Sequence, residues 1–319
     1  MPEPAPDGGA RSEQPAQTSR LSRRRLALLL GSGGAATLIG AAEVAAAGQG
    51  PRDAMGVNRE SVSATDAQGR LRQWAMVFDL RKCEGCVTNG TPPRCTEGCN
   101  AEHFVPEGQQ WIQVLTFEGP AGHTYFAPRP CMQCENPPCV KVCPVAATYK
   151  TDDGITLIDH DRCIGCRMCM AACPYGVRSF NWERPANPPG ATFARYSPEY
   201  PVPHRQGTVE KCMLCAHRVD DGKLPACVDA CPMYAIYLGD LTEDIATNGQ
   251  EIVKLSSFLA ENSAFRLRED LGTRPRVWYL PGHGQEEGHR MGDERQPEAA
   301  RSWRELQEAG DPLAHAVVQ

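Results

Sequence analysis

The sequence is short of positive charge. Its 33 lysines and arginines fall below its 39 aspartates and glutamates, for a net charge of −6. A nucleic-acid binder carries a basic face, so the balance argues against that class and against an electrostatic hold on an anionic membrane. Long hydrophobic runs are also lacking. After residue 47 no stretch approaches the ~18 apolar residues of a spanning helix, so the mature chain is expected to be soluble. The eight histidines do not cluster with ligand spacing. The acidic residues form no visible acid–base pair, and no glycine-rich phosphate loop follows a strand. With no catalytic constellation in view, the chain is expected to supply no substrate chemistry of its own.

What is present is turn-forming residues and cysteine. The 319 residues suffice for one or two domains and the 41% hydrophobic content for a core, while 30 glycines and 27 prolines point to many turns and few long elements. The N-terminus reads as a targeting segment. Residues 1–20 carry no hydrophobic period. Ser22-Arg23-Arg24-Arg25 then precedes an apolar run from Leu26 to Ala42, diluted by glycine and serine, and Ala45-Ala46-Ala47 offers a small-residue cleavage site. Twin arginines in that setting mark a twin-arginine (Tat) export signal over 1–47, which places the mature chain on the periplasmic or extracytoplasmic side, exported folded. An uncleaved membrane anchor is the bland alternative, disfavoured because Gly31, Gly33, Gly34 and Gly40 interrupt the run.

The sixteen cysteines, about 5% of the chain, fall into four groups of four with none left over. Cys83, Cys86, Cys95 and Cys99 have the spacing C-x2-C-x8-C-x3-C, and Cys131, Cys134, Cys139 and Cys143 have C-x2-C-x4-C-x3-C. Cys163, Cys166, Cys169 and Cys173 make C-x2-C-x2-C-x3-C, and Cys212, Cys215, Cys227 and Cys231 make C-x2-C-x11-C-x3-C. Every group opens with x2 and closes with x3. The third, followed by Pro174, matches the bacterial ferredoxin run for [4Fe–4S] clusters. Three closely spaced thiolates can wrap one cubane, Gly165 lets the backbone approach it, and the fourth thiolate faces a neighbouring cluster. Proline after that cysteine ends the turn; Pro144, Pro174 and Pro232 do so, and Asn100 replaces it in the first group.

Other readings compete. An even cysteine count in an exported protein can mean disulfides, but repeated C-x2-C pairs closing on C-x3-C are metal-ligand spacing. Zinc ribbons use C-x2-C pairs too, yet have no need of the ferredoxin run. A zinc-stapled interaction module therefore stays as a remote alternative. Four [4Fe–4S] clusters on the sixteen cysteines are the expectation.

Residues 131–149 (CMQCENPPCVKVCPVAATY), 161–182 (DRCIGCRMCMAACPYGVRSFNW) and 211–241 (KCMLCAHRVDDGKLPACVDACPMYAIYLGDL) together resemble the four-cluster electron-transfer subunit of the dimethyl sulfoxide reductase and polysulfide reductase family of molybdoenzyme complexes. The resemblance covers roughly residues 72–282, with Leu271–Leu280 as the family's C-terminal strand. It implies an α+β fold of two pseudo-symmetric ferredoxin-like units, one inserted in the other, each holding two [4Fe–4S] clusters. A linker (48–71) would lead into the first unit (72–127 and 205–240), interrupted by the inserted unit (128–204). An extension (241–282) and a disordered tail (283–319) would follow.

The resemblance also implies the ligand sets. One cluster would use Cys83, Cys86, Cys95 and Cys231, and another Cys99, Cys212, Cys215 and Cys227. The inserted unit would hold one on Cys131, Cys134, Cys139 and Cys173 and one on Cys143, Cys163, Cys166 and Cys169. Spacing alone yields only the quartets. The implied partners are a molybdopterin-containing catalytic subunit, near the first unit, and an integral membrane anchor handling quinone or quinol, near the inserted unit, with no direct membrane contact. A multihaem cytochrome or a hydrogenase is the alternative partner. One departure is Val87–Arg94, a middle gap longer than that of many relatives and stiffened by Pro92-Pro93.

Three elements are legible. Gln73–Leu80 alternates as a strand, Ile155–Ile158 reads as a short strand, and Glu251–Asn262 has helical spacing at Ile252, Leu255 and Leu259. His103 and His217, near cysteines, read as packing or hydrogen-bonding residues rather than ligands, since Cys₄ sites are full. Lys211, Arg162 and Arg167 read first as solvated charge and second as tuners of reduction potential.

Overall fold

A nearly continuous apolar run along residues 74–79, rather than the expected alternation, forms the central strand of the computed structural model, which describes residues 69–118, 124–282 and 301–302. The expected export signal and all but the last three residues of the linker lie outside the described residues. Strand β1 (Trp74–Asp79) is buried along its whole length. Helix α1 (Arg94–His103) follows, then β2 (Gln113–Glu118) and β3 (Thr124–Arg129) as an antiparallel pair. The middle of the chain holds α2 (Pro138–Lys141), β4 (Thr148–Lys150), β5 (Thr156–Ile158), α3 (Met168–Ala171), β6 (Ser179–Phe180), α4 (Pro189–Thr192) and β7 (Val209–Glu210). Helices α5 (Ala216–Asp220) and α6 (Ala226–Asp229) lead to β8 (Ile236–Asp240), β9 (Ile245–Thr247), β10 (Ile252–Lys254), α7 (Leu255–Glu261) and β11 (Val277–Leu280). Of the tail expected to be disordered, Arg301–Ser302 forms β12 against β2, and the other residues of 283–319 lie outside the described residues.

The largest sheet has the order β10-β9-β8-β1-β11, with β1 antiparallel to β8 and parallel to β11. Successive side chains of a strand point to opposite faces, and β1 uses both. Trp74, Met76 and Phe78 pack into the main core, together with Cys95, Cys99, Cys131, Cys134, Cys212 and Cys227. Val77 faces the other way and packs with Tyr237, Leu255 and Leu280, where Phe258 and Leu259 of α7 cover it. The sheet therefore separates a helix-covered face from a cysteine-bearing one. The stretch before β11 runs along residues 132–136 through Arg276 N–H to Met132 O (2.9 Å), Glu135 N–H to Arg274 O (2.8 Å) and Asn136 N–H to Thr273 O (3.0 Å).

The expected strands at 73–80 and 155–158 correspond to β1 and β5. The segment 251–262 is only partly helical. Ile252 lies in β10, opposite Thr247 of β9, with its side chain 76% exposed, and the helix starts at Leu255. Asp244 sets that start: its carbonyl accepts from Leu255 N–H (2.9 Å) and its carboxylate from Ser256 N–H (2.7 Å). The long gap Ala216–Ala226 contains helix α5 rather than loop alone. Among the described residues no helix is long and apolar enough to cross a membrane.

Candidate metal centre

Each cysteine quartet is built on the same local backbone. The third cysteine is the second residue of a short helix, Cys95 in α1, Cys139 in α2, Cys169 in α3 and Cys227 in α6. The residue before the second cysteine is left-handed in all four quartets: Gly85 (φ +59°), Gln133 (+44°), Gly165 (+70°) and Leu214 (+57°). After the last cysteine of the second, third and fourth quartets a left-handed residue also recurs at the third position, at Ala146, Gly176 and Tyr234. Left-handed residues between right-handed ones turn backbone N–H groups inward, making a concavity that suits an anion. Several N–H groups do reach sulfur. Arg94 N–H donates to Cys86 Sγ, Ala226 N–H to Cys215 Sγ and Ala235 N–H to Cys231 Sγ, each at 3.4 Å, and Leu214 N–H donates to Cys212 Sγ at 3.5 Å.

Glycine is required at two of these turns. A Cβ on Gly165 would lie 2.4 Å from the Gly207 carbonyl oxygen, and one on Gly85 would lie 2.5 Å from the Phe126 ring. Both also have positive φ, so close approach and backbone conformation act together.

All sixteen cysteines are free thiols, ten of them buried, Cys83, Cys143, Cys163, Cys173 and Cys231 half-buried and Cys166 exposed. Their mutual influence reports who neighbours whom. Burial pushes Cys83 up to about 12, a backbone hydrogen bond from Gly85 opposes this, and Cys231 and Cys86 add to the rise. Burial also drives Cys95 far up, with Cys83, Cys231 and Cys86 contributing. Cys99 is raised well above its ordinary value by burial and then by Cys212 and Cys215, and Cys227 by burial and then Cys215, Cys212 and Cys99. In the middle region burial pushes Cys134 up to about 12, aided by Cys131, Cys139 and Cys173. Cys169 is raised by burial, lowered by Arg178, and raised by Cys163 and Cys143. One link joins the two regions: Cys212, raised first by burial, is raised next by Cys131.

The donor chemistry fits a [4Fe–4S] cluster. A thiol, not a thiolate, is what this apolar interior favours, so a bound cation must sustain the charged form. The thiol groups are free of disulfides and come with sulfur-directed N–H groups, as thiolate ligation of iron needs.

Two buried cations adjoin these sulfurs. Lys211 is 2% exposed and donates to the Cys212 carbonyl (2.8 Å) and to Thr156 O, and its charge lowers both Cys212 and Cys139 against the larger effect of burial. Arg178, 7% exposed, faces four cysteines. Adjacency to Cys212 makes Lys211 visible in the sequence; Arg178 escapes a sequence reading, its only signal being a position five residues after Cys173. Arg167 instead lies over Trp182 (4.4 Å) and Phe180 (5.1 Å). His103 is buried with Nε2 3.1 Å from Cys215 Sγ, and His217 Nε2 lies 2.9 Å from Glu102 Oε1.

Comparison with known proteins agrees with this chemistry. Residues 122–187 and 199–241 match the 4Fe-4S dicluster domain family, a span that includes the second, third and fourth quartets. A Halobacterium salinarum chain named as a dimethyl sulfoxide reductase iron–sulfur subunit is 42% identical over 228 residues, 66% of this chain and 80% of the relative. A selenate reductase subunit of Mesobacillus selenatarsenatis is 41% identical over 226 residues, 65% of this chain and 72% of the relative. The Hdr-like menaquinol oxidoreductase iron–sulfur subunit 1 of Archaeoglobus fulgidus is 33% identical over 286 residues, 81% of this chain and 97% of the relative. The chain belongs to the family of [4Fe–4S] electron-transfer subunits of dimethyl sulfoxide reductase-type molybdoenzyme complexes.

Proposed function

We propose that this chain carries single electrons along four [4Fe–4S] clusters between a molybdopterin-containing catalytic subunit and a membrane anchor that handles quinone or quinol. The observation that carries the reading is the neighbourhood of cysteines from different quartets. Cys231 influences Cys83, Cys86 and Cys95, whereas Cys212 and Cys215 influence Cys99. Together with the influence of Cys173 on Cys134 and of Cys143 and Cys163 on Cys169, this supports ligand sets of Cys83, Cys86, Cys95 and Cys231; Cys99, Cys212, Cys215 and Cys227; Cys131, Cys134, Cys139 and Cys173; and Cys143, Cys163, Cys166 and Cys169. It also supports two ferredoxin-like units, each formed by a pair of quartets.

When bound, each cluster supplies one-electron redox chemistry at a nearly fixed geometry. The protein's part is to hold the thiolates, exclude water and aim N–H groups and cations at them. The influence of Cys131 on Cys212 supports a junction between the middle two sets, with the Cys83 set and the Cys143 set at the two ends of the wire. We assign the Cys83 end to the catalytic partner and the Cys143 end to the anchor. The menaquinol oxidoreductase relative supports the quinone side of this reading, and the twin arginines support assembly at the extracytoplasmic face after Tat export.

Anaerobic purification of the full chain tests the proposal. It predicts about sixteen iron and sixteen acid-labile sulfide per chain, since four Cys₄ sites each hold a cubane. Stoichiometric zinc, or half that iron, would refute it. Export of a variant with Arg23, Arg24 and Arg25 all replaced by lysine at the wild-type level would refute the Tat assignment.

A further inference from the structure

Arg178 occupies a position that recurs in the fold. It lies five residues after Cys173, as Thr148 lies five after Cys143, and the two positions face each other, with Arg178 Nη1 3.5 Å from Thr148 Oγ1. The corresponding residue after Cys231 is Ile236, a fully buried apolar residue of β8. One half of a repeated framework therefore carries a buried cation where the other carries an alkyl group.

The guanidinium is nine-tenths buried, and among the described residues its Nη2 has no hydrogen-bond partner. Burial opposes its charge, and the groups that support the charge are Cys139, Cys169, Cys131 and Cys173 rather than a carboxylate. Cys139, Cys131 and Cys173 belong to one proposed ligand set and Cys169 to the next, so the cation stands between two sets. A buried cation without an anionic partner is strongly unfavourable. Its retention here makes sense when the thiolates and cluster that surround it are anionic.

We propose that Arg178 sets the reduction potentials of the two clusters held by residues 131–173, its fixed charge lying between their thiolate sets. Adding one electron makes a cluster one charge more negative, and a cation beside it stabilises that reduced form. Both potentials are thereby raised, and both clusters respond to the same residue. Lys211 acts on a different pair, its charge favouring the thiolates of Cys139 and Cys212, so both cations act on the Cys131-Cys134-Cys139-Cys173 set.

The inference rests on the ligand sets proposed above, and the test separates the two. Wild-type full chain is first assayed for iron; fewer than four clusters there overturns the ligand sets, before any variant is read. Arg178→Gln and Arg178→Lys are then purified anaerobically and titrated potentiometrically with EPR detection. In Arg178→Gln two potentials should fall by a tenfold or greater change in the reduction equilibrium, about 59 mV for one electron. The two that fall should be the signals lost in Cys139→Ser and Cys169→Ser, and the other two should stay. Arg178→Lys, which keeps the charge, should move them by less than half as much. Unmoved potentials in a fully loaded Arg178→Gln overturn the proposal, as does an equal shift in Arg178→Lys. If Arg178→Gln fails to load iron, a loaded Arg178→Lys with near-wild-type potentials upholds the charge, and loss of iron from both overturns it.

Discussion

Two regions of the molecule carry cysteine quartets that open with x2 and close with x3, in different surroundings. Around the first and fourth quartets the deepest thiols are dry: burial drives Cys95, Cys99 and Cys227 well above their ordinary values, while Cys83 and Cys231 are half-buried. Around the third quartet Cys166 is exposed, Cys143, Cys163 and Cys173 are half-buried, and Arg178 lies against the sulfurs. Ligand spacing decides where thiolates can converge. What surrounds them decides how much an added electron is resisted. In the first region burial outweighs the nearby charges, while in the other region the exposure of Cys166 and a buried cation help to offset a more negative cluster.

The largest effect should come from removing a ligand in each region. Cys227 sits in the main core beneath β1, so Cys227→Ser should abolish soluble, iron-loaded protein, because cluster binding and folding are coupled. Cys166→Ser, at the surface, should leave a folded chain with about twelve rather than about sixteen iron. Equal iron loss in the two variants would erase the contrast between the regions.

Next in size is the seam joining them. His204 Nε2 donates to the His103 carbonyl of α1 (2.8 Å) and Nδ1 donates to Glu210 (2.7 Å), which also accepts from Asn181 (2.7 Å). The imidazolium can donate at both nitrogens, and that form suits both partners best. Burial alone would lower the His204 pKa, but the hydrogen bond and charge of Glu210 leave it raised. A raised pKa means stability that is complete below about 6.5 and fades as pH rises through the folded value. Breaking a buried pair typically costs about 3–5 kcal/mol, so Glu210→Gln should destabilise the protein by that order at pH 6 and by clearly less at pH 9. Denaturant unfolding at the two pH values measures it, and a pH-independent loss would contradict the assignment.

Smaller effects should come from the turns. A non-glycine residue at these left-handed positions costs about 1–2 kcal/mol before any clash. Gly165→Ala should be worse than Gly85→Ala, since the first meets a backbone carbonyl and the second a side-chain ring that can shift. Thermal unfolding of the loaded chains would rank them, and the reverse order would sink the steric argument.

The smallest effect is expected at a partly exposed carboxylate, Glu251, whose partner Lys82 adjoins Cys83 of the first quartet. Burial acts little on Glu251; a hydrogen bond from Tyr237 (2.5 Å) and then one from Lys82 (3.0 Å) lower its pKa. A lowered carboxyl pKa contributes stability above about pH 4.5 that is lost as pH falls. The pair is largely exposed, so Glu251→Gln should cost less than about 1 kcal/mol at pH 7 and nothing measurable in iron content.

Much of the molecule is legible without its fold. Ligand spacing is local, so four quartets and their short turns can be read from the chain, and the apolar run at 73–80 announces β1. The helix within 251–262 starts later than its period implies, because Ile252 satisfies a helical period as well as a strand, and pairing with β9 decides between them. Arg178 looks like one charge among many. Its place between sulfurs depends on the packing of two quartets, which no local period encodes.

By itself, then, the sequence determined which residues can ligate and that Gly165 lets the backbone approach them, because these depend on neighbours within a few positions. Only the tertiary structure decided that His103 lies on Cys215 and that Lys211 and Arg178 are buried beside cysteines. Those contacts join residues far apart in the chain. Their electrostatic consequence comes from burial, which lowers the local dielectric and strengthens every charge left inside.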